Sequence, residues 1–159
     1  MLGKIVEEVK EDFKEILEQK KGTIELTGHC EASVIPFQFR QLVYNIISNS
    51  LKFSRPGIPM VITIESRIAE GKDCSERLLP DIKYHHLTFT DNGIGFDTQY
   101  LDEIFVVFKR LHSQHEYQGS GIGLSICKKI VEKHNGYITA HSKLNEGSTF
   151  VVTLPEKIN

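Results

Sequence analysis

The chain has 159 residues, with 19 Lys+Arg against 21 Asp+Glu, a formal net charge of −2, and about 40 % hydrophobic and 25 % charged residues. These values suit one globular domain with a single core, and they give no electrostatic reason to expect nucleic acid or an anionic membrane as partner. No apolar run reaches the roughly 18 residues of a membrane-spanning helix, Met1–Lys10 lacks the pattern of a secretion signal, and Cys30, Cys74 and Cys127, without a CxxC, read as reduced thiols of a cytoplasmic protein.

Leu2, Ile5, Val6, Val9, Phe13, Ile16 and Leu17 recur at helical spacing and predict one amphipathic helix through about Gln19, ended by Gly22. Thr23–Thr27 alternates as a short strand. Phe39, Leu42, Val43, Ile46, Ile47 and Leu51 mark a second helix, stopped near Pro56-Gly57, and Met60–Ile64 reads as a strand. Ala69–Asp81 is polar and predicts an exposed hairpin loop, with Tyr84–Thr90 as the returning strand. From Thr98 to Gln118 the pattern weakens, and a structureless stretch of that size inside a compact domain is more often functional than accidental. A third helix from Leu124 to about Lys133 closes at Asn135-Gly136, and Tyr137–His141 and Thr149–Leu154 finish the chain as strands around an Asn145-Glu-Gly turn. This order implies an α+β fold, a mixed sheet of about five strands with three helices on one face.

Four stretches carry chemistry. Asn45 and Asn49 share a helix face that Lys52 and Phe53 continue; two carboxamides and an ammonium there suit a hydrated Mg²⁺ with phosphate oxygens, or simply a solvated face. In Asp91-Asn-Gly-Ile-Gly-Phe-Asp97 a carboxylate ends a strand, where it can accept the exocyclic amine of adenine, while Gly93 and Gly95 admit backbone that a side chain would block; a plain turn is the alternative. Gly119-Ser-Gly-Ile-Gly-Leu-Ser125 opens a helix, whose N–H groups and dipole suit phosphate, although it is neither a P-loop nor a Rossmann turn. Phe105 and Phe108, at i and i+3, suit core packing, and Arg110 beyond them is placed to neutralise a phosphate.

Taken together, "NIISNSLKFS", "DNGIGFD", "IFVVFKRL", "GSGIGLSICKKIVEKHNGYI" and "EGSTFVVTLP" resemble, in order, the asparagine box, first glycine box, phenylalanine box, second glycine box and closing strands of the ATP-binding catalytic domain of bacterial sensor histidine kinases. That superfamily also includes type II topoisomerases, Hsp90 and MutL. The resemblance covers essentially the whole chain and implies a two-layer α/β sandwich that binds ATP and Mg²⁺ as a single domain, 1–159, with an ATP lid over about 98–118.

By the same resemblance, Asn49 is the Mg²⁺ ligand, Asn45 and Lys52 lie on the phosphate side, and Phe53 packs by ribose and adenine. Asp91 reads adenine, supported by Gly95 and, through the closing strands, by Thr149; Arg110 approaches the γ-phosphate, and Gly119, Gly121 and Gly123 surround the triphosphate. Gly93, Phe108 and Leu124 complete the nucleotide set, and Asn45, Lys52 and Arg110 are the catalytic candidates.

The superfamily's hydrolases carry a water-activating glutamate where this chain has Asn45, which has no basic pair to offer, so the resemblance implies a kinase that hydrolyses ATP poorly. Its acceptor would be a histidine on a dimerisation domain of the parent kinase, with a response regulator receiver domain downstream. No histidine here matches the family's acceptor box: His115-Glu116 continues as Tyr-Gln-Gly, His85, His86 and His141 lie on predicted strands, and His29 and His134 show no partner. The expected protein is therefore one module of a longer kinase. An anti-sigma-type serine kinase and a non-catalytic ATP-binding module are the competing readings.

Overall fold

The apolar residues of each predicted element fall on one side of it, and folding brings those sides together. A computed structural model describes residues 2–28, 32, 34–74, 76, 78–96, 104–105 and 123–156. In chain order the elements are α1 (Leu2–Asp12), α2 (Lys14–Gln19), β1 (Thr23–Gly28), α3 (Pro36–Lys52), β2 (Val61–Glu70), α4 (Gly71–Cys74), β3 (Lys83–Asp91), α5 (Gly123–Lys133), β4 (Tyr137–Lys143) and β5 (Gly147–Pro155). The strands form one five-stranded sheet in the order β1-β2-β3-β5-β4. Only the β1–β2 pair is parallel, with α3 as its crossover, and the other three pairs are antiparallel. The expected mixed α+β sheet is therefore present.

Register puts every second residue into one layer. Ile64, Phe89, Phe150 and Ala140 lie side by side across the sheet, as do Ser66, Leu87, Val152 and Ile138, and all eight are buried. Against this face pack Leu2, Ile5, Val6 and Val9 of α1, Phe39, Leu42, Val43, Ile46 and Ile47 of α3, and Cys127, Ile130 and Val131 of α5, in one hydrophobic cluster. The opposite face carries Thr63, Thr90, Thr149 and His141 in one row.

Three local expectations change. The first helix is interrupted at Phe13, whose ring stacks on Tyr44 of α3 at 4.7 Å, and α2 follows from Lys14. Ala69–Asp81 is not all loop: Ile68 and Ala69 pair with His85 and Tyr84, so the hairpin extends to Glu70, where the four-residue α4 follows. His134 does have partners. It is 2 % exposed, its Nδ1 lies 2.8 Å from the Ile130 carbonyl, and its Nε2 accepts the Ile35 N–H at 3.0 Å.

A carbonyl only accepts, so Nδ1 carries the proton and Nε2 is the acceptor; the ring is neutral and in one tautomer. His134 thereby joins the end of α5 to Ile35, the N-cap residue of α3, which has no side-chain cap. Replacing His134 by Ala removes a buried ring and both bonds, and is expected to lower the unfolding free energy by about 2–3 kcal/mol in urea denaturation. His134→Gln, which can keep one acceptor, should lose less.

Candidate functional site

β3 ends at Asp91, which is 8 % exposed. Taking a carboxylate out of water is costly unless donors meet it. Three do: Ser50 Oγ donates to Oδ2 at 2.8 Å, while the Gly93 and Ser148 N–H groups donate to Oδ1 at 2.9 and 3.2 Å. Burial pushes the Asp91 carboxyl above its usual range, and the Gly93, Ser50 and Ser148 donors pull it back part of the way.

The chain after Asp91 is held against two other elements. The Ile94 N–H donates to the Phe53 carbonyl at 2.9 Å, the Asn145 N–H to the Ile94 carbonyl at 2.6 Å, and the Phe96 N–H to Ser142 Oγ at 2.7 Å. Ser142 in turn donates to the Gly147 carbonyl at 2.8 Å. Glycine is required by this closeness. A Cβ at residue 93 would lie 2.5 Å from the Phe53 carbonyl oxygen, and Gly95, at φ +69, would place one 2.3 Å from that of Lys143. Arg55 ties the same loops from outside, Nε donating to the Asn92 carbonyl at 2.8 Å and Nη1 to that of Asn145 at 3.0 Å.

α3 serves both ends of the site. Ser50 is aimed at Asp91; five residues earlier, Asn45 Nδ2 donates to the Gly123 carbonyl at the start of α5, at 3.4 Å. Asn45 also hydrogen-bonds the Cys127 thiol, which burial pushes up to about 12 and Asn45 pulls down. Asn49, Phe53 and Leu124 are half-buried and Lys52 is exposed. Asn49 carries a neutral oxygen of the kind a hard cation takes.

The structure therefore brings Phe53, Asp91, Gly93 and Gly95 together at one end of α3, and Asn45 beside Gly123 toward the other. From β5 the direct bond to Asp91 comes from the Ser148 backbone, while Thr149 lies beside Thr90, their hydroxyls 3.3 Å apart. Phe108, Arg110, Gly119 and Gly121, and the expected lid over 98–118 except Ile104 and Phe105, lie outside the described residues. Phe105 meets Phe150 edge to face at 6.5 Å, as core packing requires.

Ser50, Ser142, Ser148 and Arg55 escaped the sequence reading. Ser50 left a trace there, since it continues the buried stripe of Val43, Ile46 and Ile47 with a hydroxyl.

The fold is that of histidine kinase catalytic domains. The catalytic domain of histidine kinase ThkA superposes with a TM-score of 0.73, covering 98 % of this chain and 94 % of that one at 21 % identity. In sequence, cyanobacterial phytochrome A of Nostoc sp. (strain PCC 7120 / SAG 25.82 / UTEX 2576) is 42 % identical over 118 residues, 74 % of this chain and 14 % of that protein. Sensor protein RprX of Bacteroides fragilis (strain YCH46) is 33 % identical over 116 residues, 72 % of this chain and 20 % of that protein. The chain thus spans a fifth or less of these two relatives. Residues 35–158 match the family described as histidine kinase-, DNA gyrase B-, and HSP90-like ATPase, and the chain belongs to that family.

The strained ionisation of Asp91 has a stability consequence. With its pKa raised by folding, the stability linked to Asp91 is full below the ordinary value of 3.8 and is lost as pH rises through the folded value. Asp91→Asn keeps an acceptor for the two N–H groups, and Ser50 can turn to accept the new amide. The variant is expected to melt at or above the wild-type temperature at neutral pH, with the difference fading as the pH falls below 3.8, in thermal unfolding followed across pH.

Proposed function

We propose that this domain binds Mg²⁺–ATP and donates the γ-phosphoryl group to a histidine on a separate dimerisation domain of its parent protein, which passes it to a response regulator. The observation that carries this reading is the buried, triply bonded Asp91 carboxylate at the end of β3, an acceptor for the exocyclic amine of adenine. Family membership and the likeness to histidine kinase catalytic domains support it. The work belongs in the cytoplasm, where ATP is.

In this reading Asp91 orients the base, with Gly93 and Gly95 letting the turn approach it and Thr149 behind it on β5. Phe53 lies along the base and ribose. Asn49 holds Mg²⁺, which when bound neutralises triphosphate charge. Asn45 fixes the opening turn of α5 through the Gly123 carbonyl. Lys52, Arg110 and the glycines Gly119, Gly121 and Gly123 meet the phosphates, and Phe108 and Leu124 close the pocket wall. A neutral imidazole nitrogen attacks the γ-phosphorus, the N–P bond forms as the bond to the bridging oxygen breaks, ADP leaves, and the imidazolium gives up its proton. No protein base is needed for that attack.

Asn45 also separates this reading from an anti-sigma-type serine kinase and from a hydrolase. Its carboxamide is engaged with Gly123 and Cys127 and has no basic pair to activate water or a serine hydroxyl. Incubating the domain with labelled ATP and a separate dimerisation-helix domain is expected to give acid-labile phosphohistidine, with ATP hydrolysis by the domain alone slow. Acid-stable phosphoserine would favour the anti-sigma reading, and vigorous hydrolysis would contradict the role given to Asn45.

A further inference from the structure

We infer that Ser50 sets the nucleobase choice of this pocket, by holding the Asp91 carboxyl as a pure hydrogen-bond acceptor that admits a 6-amino purine and turns away a 6-oxo purine. The inference rests on the nucleotide-binding reading above and adds a specificity-determining residue to it. The two carboxyl oxygens are not equivalent. Oδ1 is engaged by both backbone donors, Gly93 and Ser148, whereas Oδ2 takes the Ser50 hydroxyl among the described residues and keeps acceptor capacity for a ligand. Ser50 is itself 4 % exposed, so its hydroxyl has little water to turn to, and at 2.8 Å its proton is directed at Oδ2.

The surroundings leave this work to Ser50. The groups acting on the carboxyl among the described residues are the Gly93 N–H of the following turn, Ser50 of α3 and the Ser148 N–H of β5, and β2 presents the apolar Ile62 in register with Asp91. The charged Arg55 directs its guanidinium at the Asn92 and Asn145 carbonyls. Ser50 is thus the side-chain donor, among the described residues, that opposes burial and favours the ionised form. An ionised Asp91 accepts from the 6-amino group of adenine and faces the 6-oxo group of hypoxanthine or guanine lone pair to lone pair. A protonated Asp91 can donate to that 6-oxo group. Removing the Ser50 hydroxyl moves Asp91 toward protonation and blunts the choice.

Ser50→Ala tests this, since alanine is the better helix former and leaves the stripe apolar. In the nucleotide-free protein, an NMR titration of the Asp91 carboxyl carbon is expected to move up by about one pH unit in the variant. Calorimetry with ATP and with ITP is expected to show ATP binding weakened about tenfold and the ATP-over-ITP ratio compressed, most strongly toward acid pH. An unmoved Asp91 midpoint, or an equal loss for both nucleotides, overturns the inference while leaving nucleotide binding intact. Failure of the wild type to bind either nucleotide overturns the parent reading and this one with it, an outcome kept distinct because the Asp91 titration is read without nucleotide.

Discussion

A carboxylate removed from water must be met by donors, and much of this fold's geometry serves that need at Asp91. The residue sits at the end of a central strand, on the sheet face that the helices cover. Its three donors come from a helix, a turn and the neighbouring strand. The Gly93 N–H is a local turn donor two residues on, but the other two depend on the tertiary structure: Ser50 is 41 residues away in sequence and Ser148 is 57. The buried carboxyl therefore has its full set of donors only when α3, the post-β3 turn and the β4–β5 hairpin are all in place.

That dependence explains how the scaffold is built. α3 is at once the central core helix and the rail of the candidate site, with Phe39, Val43 and Ile46 in the interior, Asn45 bonded to Gly123 and Ser50 to Asp91. The turn after β3 cannot carry side chains where it crosses the Phe53 and Lys143 carbonyls, so Gly93 and Gly95 are steric requirements of the scaffold. Gly123 differs. A Cβ there would lie 4.0 Å from that of Asn45, an ordinary contact. Packing among the described residues does not demand a glycine at the start of α5, and in the proposed reading a phosphate approaching that helix terminus is the reason for one.

Much of this was readable in the sequence, because burial writes itself as periodicity. The alternation of β1, the β-branched run that opens β2 and the apolar stripe of α3 mark those elements, and the Asp91 and glycine motifs mark one end of the candidate site. What was not readable depends on contacts between distant segments. The break at Phe13 follows from stacking on Tyr44, and the long β2–β3 hairpin from cross-strand pairing that its polar composition conceals. His134 carries no mark of its role in the sequence, because folding alone brings Ile35 to its ring. The serines around Asp91 were missed for the same reason, since a hydroxyl's partner is set by tertiary approach and not by spacing. On β5 the Thr149 side chain lies beside Thr90, and the bond to Asp91 comes from the Ser148 backbone.

The central claim is that the cage around Asp91 is an adenine-nucleotide site whose chemistry is completed by another domain. Family membership fixes the class of protein, and the cage is the recognition element that we propose. The most direct measurement is an amide NMR map of the isotopically labelled protein titrated with ADP and Mg²⁺. The account predicts saturable shifts centred on the Gly93 and Ser148 amides that bond Asp91, extending along α3 to Asn49. Shifts confined to other surfaces, or no saturable shift at these amides, would contradict it.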